Sequence, residues 1–169
     1  MTQIPIETER KFLIAMPDVE LLGTQNGVKI KHIEQTYLLC ESGKNTRVRK
    51  ICEGGKVSFI KTVKQRISVL SSFEEENEIT ESEYAHELTC ADPEKKTIVK
   101  TRYCIPFGKH TVEIDLYPFW SDRAILEVEL ASEDEEFSIP PYIRVIKEVS
   151  DDARYKNTKL AKSVPMDEI

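Results

Sequence analysis

The chain has 169 residues, a length typical of one domain, with 40% hydrophobic and 32% charged residues. Its 24 Lys and Arg residues against 30 Asp and Glu residues give a formal net charge of −6. This balance argues against a protein that binds nucleic acid polymers through excess positive charge. No run approaches the roughly 20 apolar residues of a membrane helix, and no apolar signal core opens the chain, so we expect a cytoplasmic protein without a membrane partner.

Eight segments alternate with a period of two between apolar and polar residues, which predicts β-strands. These segments span residues 6–14, 30–40, 45–51, 57–64, 73–80, 96–104, 110–117 and 124–131. Their regular spacing indicates an antiparallel sandwich or barrel, and two glycines at residues 53–56 predict a hairpin turn. One domain is therefore predicted over residues 1–162, followed by a loose tail at residues 163–169.

Short helices are predicted around the sheet, at residues 18–22, 82–88 and 132–137. A further helix is predicted near the end of the chain, where Ser150 or Asp151 can cap its first turn. Lysines approach the C-terminal end of this helix, as the helix dipole favours. The four cysteines and three histidines are dispersed without the spacing of a metal or redox motif, and phosphate-binding glycine loops are absent from the sequence.

Charged residues of one sign occupy alternate positions in nearly every predicted strand, and residues two apart share a face of a strand. The doublets are Glu7 and Glu9, Arg47 and Arg49, Glu76 and Glu78, Lys100 and Arg102, Glu113 and Asp115, and Glu127 and Glu129, with Lys11 and Lys64 on the same faces. A solvated outer face explains any one strand. Like charges this close repel, however, so a lumen in which bound ions neutralise them is the alternative. The alternation by itself leaves both interpretations open.

Such a lumen would suit phosphoryl-transfer chemistry. Carboxylate oxygens are the ligands that Mg²⁺ and Mn²⁺ prefer, and Arg and Lys side chains hold phosphate oxygens. A polyphosphate together with a divalent cation would neutralise both sets of doublets at once. The metal would polarise a phosphoryl oxygen while the cationic side chains stabilise the leaving group.

The same residues resemble a known family. The segment Glu7-Thr-Glu9-Arg-Lys11 has the E-x-E-x-K pattern of the CYTH superfamily, the triphosphate tunnel metalloenzymes. The resemblance continues in order through Gln35-Thr-Tyr37-Leu, Arg47-Val-Arg49, Thr62-Val-Lys64, Glu76-Asn-Glu78, Lys100-Thr-Arg102, Glu113-Ile-Asp115, Glu127-Val-Glu129 and Asp152-Ala-Arg154-Tyr155-Lys156-Asn157. It covers residues 4–162 and implies a mainly β fold: an eight-stranded antiparallel barrel that forms a charged tunnel, with peripheral helices and a C-terminal plug helix.

The resemblance also implies roles for individual residues. One or two Mg²⁺ or Mn²⁺ ions would bind to Glu7, Glu9, Glu127 and Glu129, with Glu76, Glu78, Glu113 and Asp115 as secondary candidates. The triphosphate would be held by Lys11, Arg47, Arg49, Lys64, Lys100, Arg102, Arg154 and Lys156. The candidate catalytic residues are Tyr37, Lys11 and Lys156.

Three positions carry specific expectations. Tyr37 is a candidate proton acceptor for the attacking water, provided that Arg47 or Lys11 lowers the pKa of its phenol. Lys61 should point outward, because Lys64 shares the face of Thr62. Glu74 stands where many relatives carry an arginine, so that either this end of the strand leaves the tunnel or a further cation is recruited.

The function that the resemblance implies best is metal-dependent hydrolysis of a triphosphate with water as the nucleophile, the substrate being inorganic tripolyphosphate or a nucleoside triphosphate. Class IV adenylate cyclase and thiamine triphosphatase are alternatives, as is a module that binds polyphosphate or nucleotides without turnover. The partner is then a small-molecule triphosphate. The oligomeric state is left open, with a homodimer among the alternatives.

Overall fold

The computed structural model describes residues 4–169. Within this range the chain forms nine strands: β1 (Ile6–Ala15), β2 (Lys29–Tyr37), β3 (Lys44–Glu53), β4 (Lys56–Arg66), β5 (Ser71–Ile79), β6 (Ile98–Phe107), β7 (His110–Leu116), β8 (Arg123–Leu130) and β9 (Val145–Glu148). All paired strands are antiparallel, in the order β5-β4-β3-β2-β6-β7-β8-β1-β9. The first eight match the eight predicted segments.

The sheet closes into a barrel because β1 has partners on both edges. One edge pairs with β8 from Thr8 to Ala15, and the other pairs with β5 from Ile6 to Thr8. Beyond Thr8 the second edge is taken over by β9, which pairs with Phe12–Ile14. The predicted eight-stranded antiparallel barrel is thus confirmed. The four-residue β9 was not predicted, because so short a segment shows no clear alternation.

The turn between β3 and β4 follows the expected chemistry. Gly54 and Gly55 have φ of +55° and +80°, in the left-handed region that the two central residues of a tight hairpin turn adopt. The hairpin predicted at residues 53–56 is therefore confirmed, and it sets the register in which Arg47 lies opposite Thr62.

Two apolar clusters lie on opposite faces of the barrel wall. The first covers the outside of β1 and β6 to β8, where Phe12, Ile114 and Leu126 pack with Leu22 of the first helix. The second occupies inward-facing positions at one end of the barrel and includes Leu13, Tyr37, Ile98, Tyr117 and Ile125, together with Trp120, Tyr155 and Leu160. These side chains continue the strand faces that carry Lys11, Asp115 and Glu127. The charged interior is therefore a pocket that apolar packing closes at this end.

Helices are few and peripheral in the described residues: α1 (Val19–Gly23), α2 (Glu81–Glu87), α3 (Asn157–Leu160) and 3-10 turns at Leu88–Cys90 and Ala153–Tyr155. The first two confirm the predicted helices at residues 18–22 and 82–88. Asp18 caps α1 by accepting from the Leu21 amide, and Thr80 caps α2 in a capping box with Glu83. None of these helices combines the length and the hydropathy that a membrane span requires.

The helix predicted at residues 132–137 is wrong. This acidic segment is a turn followed by irregular chain, because its carboxylates bind the barrel instead of supporting a helix. Glu133 accepts from the Ser71 hydroxyl at 2.9 Å, and Glu135 lies 2.9 Å from the Nε2 atom of His110.

The single helix predicted from Ser150 or Asp151 onward is also wrong. Asp152 caps only the 3-10 turn, and Lys156 then adopts an extended conformation, with φ −74° and ψ 138°, before the four residues of α3. The closing segment, residues 150–162, thus contains two short helical turns. Its Tyr155 and Leu160 pack into one end of the barrel. The tail is not wholly loose, since Val164 packs against the same cluster and the Pro165 carbonyl accepts from Trp120 Nε1 at 2.9 Å.

Candidate functional site

The inward faces of the strands enclose a pocket of about 360 Å³. It is lined by both signs of charge, as the lumen interpretation expects. The predicted site residues that line it are Glu7, Glu9, Lys11, Tyr37, Arg47, Lys64, Arg102, Glu113, Glu127 and Lys156. Lys61, in contrast, lies outside the barrel and pairs with Glu87 of α2 at 2.6 Å, which confirms the expected direction of this side chain.

Lys64 lies among three carboxylates near the N-terminus of β1. Its Nζ atom is 2.6 Å from Glu7, 3.8 Å from Glu9 and 3.5 Å from Glu74. Burial alone would lower the pKa of Lys64, but Glu9 and Glu7 outweigh it and raise the pKa above its ordinary value. Glu74 therefore shares Lys64, a cation already expected in the tunnel, with Glu7 and Glu9.

The carboxylates of this cluster are held close together. Burial raises the pKa of Glu7, with a further contribution from Glu74, and burial together with Glu127 raises the pKa of Glu9. Glu129 lies opposite Glu9 in the β1–β8 register, and its side chain is exposed.

Glu127 has a different environment from the other acidic residues of the pocket. Its carboxylate is 3.3 Å from Lys11 Nζ and 3.4 Å from Arg102 Nη2. Burial would raise the pKa of Glu127, but Lys11 and Arg102 outweigh it and hold the pKa far below its usual range. This group is therefore a permanent anion that fixes two cations of the wall.

The donor chemistry of the acidic cluster suits a divalent metal ion. Hard carboxylate oxygens are the ligands of Mg²⁺ and Mn²⁺, and Glu7, Glu9 and Glu74 already surround one positively charged atom. As they stand, no three Asp, Glu, His or Cys side chains of residues 4–169 form a complete metal site. The ammonium of Lys64 lies between the carboxylates, so these ligands must rearrange to share a metal ion.

A second network is buried in the wall. Asp115 is fully buried and accepts from Lys100 Nζ at 2.7 Å and from Arg102 Nε at 2.6 Å. Burial and the adjacent Arg102 lower the pKa of Lys100 to about 8, whereas the cations hold the pKa of Asp115 below its usual value despite burial. Lys100 and Asp115 do not line the pocket, although both were predicted to bind ligands. Arg102 also binds Glu113 at the pocket wall.

The two arginines of β3 are not equivalent. Arg49 is buried and donates to Glu76 at 2.8 Å, and burial together with Arg47 lowers the pKa of Arg49 to about 10. Arg47 faces the pocket, where it donates to Gln35 Oε1 at 3.5 Å and lies within reach of the Tyr37 hydroxyl. Its Nε atom is buried without any hydrogen-bond partner among the described residues. Arg47 is thus a guanidinium that an anion entering the pocket can engage.

Tyr37 lies at the boundary between the pocket and the closed end of the barrel. Its hydroxyl accepts a hydrogen bond from Gln35 Nε2 at 2.9 Å. Burial raises the pKa of Tyr37, and the nearby Arg47 and Lys11 offset this only in part. The condition set for Tyr37 as a proton acceptor, a lowered pKa, is therefore not met in the absence of a ligand.

Of the two cations predicted in the closing segment, one lines the pocket. Lys156 lines the pocket, but Arg154 does not, and its exposed guanidinium binds Asp152 at 2.8 Å and Asp167 at 3.1 Å. The expectation that Arg154 reaches the tunnel is wrong for this structure, because the 3-10 turn directs the side chain outward. The β5 carboxylates Glu76 and Glu78 are also largely exposed and do not line the pocket.

Several pocket residues were not predicted. Arg66 is two positions beyond Lys64 on β4, so extending the alternation by one step would have included it. Its Nε and Nη2 atoms donate to the carbonyls of Ser68 and Val69. Ser150 and Asn157 come from the closing segment, whose path the sequence pattern does not indicate.

Comparison with known proteins agrees with this architecture. The chain is 33% identical over 165 residues to the inorganic triphosphatase of Nitrosomonas europaea, which corresponds to 94% of this chain and 99% of that protein. The crystal structure of the inorganic triphosphatase NE1496 matches over 98% of each chain, with a TM-score of 0.57 and 27% identity. The PH1819 protein of Pyrococcus horikoshii OT3 has the same fold, with a TM-score of 0.57 at 20% identity over 76% of this chain and 80% of that chain. No protein-family model matches the sequence.

The barrel, its charged interior and the full-length relative together define the class of this protein. The chain belongs to the CYTH superfamily, the triphosphate tunnel metalloenzymes.

Proposed function

We propose that the protein hydrolyses triphosphates, that inorganic tripolyphosphate is its substrate, and that it requires Mg²⁺ or Mn²⁺. The observation that carries this proposal is that the pocket inside the barrel is lined by both carboxylates and cations. The inorganic triphosphatase of Nitrosomonas europaea, similar over nearly its whole length, supports the reaction class. Water would attack a phosphorus atom and break one phosphoanhydride bond.

The cations of the pocket would bind the substrate in two ways, according to whether they already have a carboxylate partner. Arg47 and Lys156 line the pocket, and neither forms an ion pair with a carboxylate of the described residues, so both can bind phosphate oxygens. Arg102 and Lys11 are already tied to Glu127 and would stabilise negative charge from fixed positions. Lys64 would bind phosphate once its carboxylate partners are neutralised.

Glu7 and Glu9, with Glu127 and Glu129 nearby in the β1–β8 register, would hold the divalent cation. Bound there, the cation supplies Lewis-acid polarisation of a phosphoryl oxygen. The buried Tyr37 phenol would remain protonated and orient a substrate oxygen or the attacking water by donating a hydrogen bond, because burial raises its pKa.

The pocket offers little for an organic leaving group. Tyr37 is the one aromatic side chain that lines it in the described part of the chain. Trp120, the aromatic considered for thiamine triphosphate, packs in the closed end instead, with 4% of its surface exposed. With one aromatic side chain in the pocket, an adenine or thiamine ring finds little stacking surface, which favours the inorganic substrate over the cyclase and thiamine triphosphatase alternatives.

Incubation with tripolyphosphate, ATP and thiamine triphosphate, each with Mg²⁺ or Mn²⁺, tests this proposal. Released phosphate and cyclic AMP are both measured. We expect the fastest phosphate release from tripolyphosphate, no cyclic AMP, and loss of activity when EDTA removes the metal. Cyclic AMP formation from ATP would establish the cyclase alternative, and binding without phosphate release would establish a non-catalytic module.

Matched substitutions test the assigned pocket. We expect Glu9→Gln and Arg47→Met to reduce turnover more than tenfold, because losing one charge-stabilising group typically costs roughly 10²–10³ in rate. Lys61→Met, on the outer face of the same barrel, should leave turnover unchanged. Equal losses in all three variants would show that the assignment of inner and outer faces is wrong.

A further inference from the structure

Asn157 is a polar residue of the pocket wall that the charge pattern does not reveal. It is the first residue of α3, directly after Lys156, and it is 8% exposed. Asn157 lines the pocket together with its chain neighbour Lys156. A buried amide in this position needs partners for both its oxygen and its nitrogen.

The amide oxygen already has its partner. The Tyr117 hydroxyl donates to Asn157 Oδ1 at 2.7 Å. The other acceptor near this hydroxyl, Asp115 Oδ2, is 3.5 Å away and already accepts from Lys100 and Arg102. In the reversed amide orientation the hydroxyl would have only the distant Asp115 as acceptor, so the hydrogen bond to Oδ1 determines how the amide is turned.

Tyr117 is itself held rigidly. Its ring stacks on Phe119 with centroids 5.0 Å apart and meets Trp120 edge to face at 5.6 Å. The orientation of Asn157 is thus set by a chain of buried contacts that begins at the barrel wall.

With the oxygen engaged, the Nδ2 atom is left without an acceptor among the described residues. It is not among the unpartnered side-chain atoms that are sealed from solvent, and Asn157 is one of the residues that line the pocket. We propose that Asn157 Nδ2 donates a hydrogen bond to a phosphate oxygen of the bound triphosphate next to Lys156, and that Tyr117 is the positioning residue that aims it. This inference rests on the proposed function, since it assigns a further contact to the same substrate.

A neutral donor at this point differs from another cation. It adds directional preference for an acceptor oxygen without adding charge to a wall that already contains Lys156, Arg47 and Arg102. Replacing it by aspartate keeps the size of the side chain and the acceptor for Tyr117. The second oxygen would then present negative charge where phosphate is expected.

Isothermal titration with tripolyphosphate in EDTA, where turnover is stopped, measures the contact directly. Hydrogen bonds to charged groups contribute about 1.5–3 kcal/mol, so we expect Asn157→Ala to weaken binding roughly 10–100-fold and Asn157→Asp to weaken it further. Tyr117→Phe should weaken tripolyphosphate binding less than Asn157→Ala does. The double variant should bind only slightly more weakly than Asn157→Ala alone, because Tyr117 acts on the ligand through the Asn157 amide. Asn77→Asp, the same change on the exposed face of β5, is the matched control.

The unfolding midpoint of each unliganded variant separates binding from folding. Asn157→Ala that retains its midpoint and binds tripolyphosphate like the wild type would overturn the inference while leaving the proposed function intact. A wild-type protein that neither binds nor hydrolyses tripolyphosphate when Mg²⁺ is present would instead remove the proposed function. Should Asn157→Asp fail to fold, the comparison of Asn157→Ala with Tyr117→Phe still decides the question.

Discussion

Replacing Asp115 by asparagine tests whether this residue is structural or a metal ligand. Its carboxylate has no exposed surface and neutralises Lys100 and Arg102 at 2.6–2.7 Å. Removing one partner of a buried ion pair typically costs about 3–5 kcal/mol, because an uncompensated charge stays buried. For a domain of this size each kcal/mol lowers the unfolding midpoint by roughly 2–4 °C, so we expect Asp115→Asn to lower it by about 6–20 °C.

Thermal unfolding of the metal-free protein is the assay, with Glu113→Gln as the control. Glu113 binds the same arginine, but 27% of its side chain is exposed, so its loss should cost no more than about 1 kcal/mol. Equal shifts in the two variants would contradict the reasoning about burial. An Asp115→Asn protein with an unchanged midpoint, but without stabilisation by Mg²⁺, would show that Asp115 binds metal.

Two further substitutions address residues whose roles the structure changes. Arg154→Ala should keep turnover within about twofold of the wild type in steady-state kinetics, because Arg154 forms only exposed ion pairs, which contribute little to stability. A loss of turnover equal to that of Arg47→Met would mean that Arg154 enters the pocket during catalysis. Lys64→Met leaves Glu7, Glu9 and Glu74 without their common cation, so the unliganded protein should unfold at a lower temperature and be stabilised more by Mg²⁺ than the wild type. An equal response to Mg²⁺ in both proteins would contradict placing the metal at these carboxylates.

The alternation of charge along the strands was sufficient to predict which side chains share a face, whereas the enclosed barrel interior was implied only by the family resemblance. A period of two assigns each side chain to one face of a strand. Lys64 and Lys61 are three positions apart, so they lie on opposite faces of β4. The same rule brings Glu9 and Arg47 into one pocket although they lie on different strands. The closure of β1 onto β5 decides that this face encloses a lumen and is not a solvated surface. In the described residues, this closure consists of only three residue pairs.

The closing segment could not be predicted in the same way. Capping signals at Ser150 and Asp151 predict where a helix begins, but the extended conformation of Lys156 divides the segment into two turns. That division depends on packing, since Tyr155 and Leu160 are buried in the barrel end and Asn157 is bound to Tyr117. The outward direction of Arg154 follows from this tertiary arrangement and has no local signature.

Residues that look equivalent in the sequence differ in the charge they can offer a ligand. Arg49 forms an ion pair with Glu76, and Lys100 forms one with the buried Asp115. Arg47 forms no ion pair with a carboxylate of the described residues. Positive potential in the pocket is therefore concentrated where no acid offsets it, and negative potential where several carboxylates share Lys64. A polyanion bound together with a divalent cation satisfies both regions at once, whereas either alone leaves one region unbalanced. This physical requirement is why binding of tripolyphosphate and of metal should strengthen each other in the proposed enzyme.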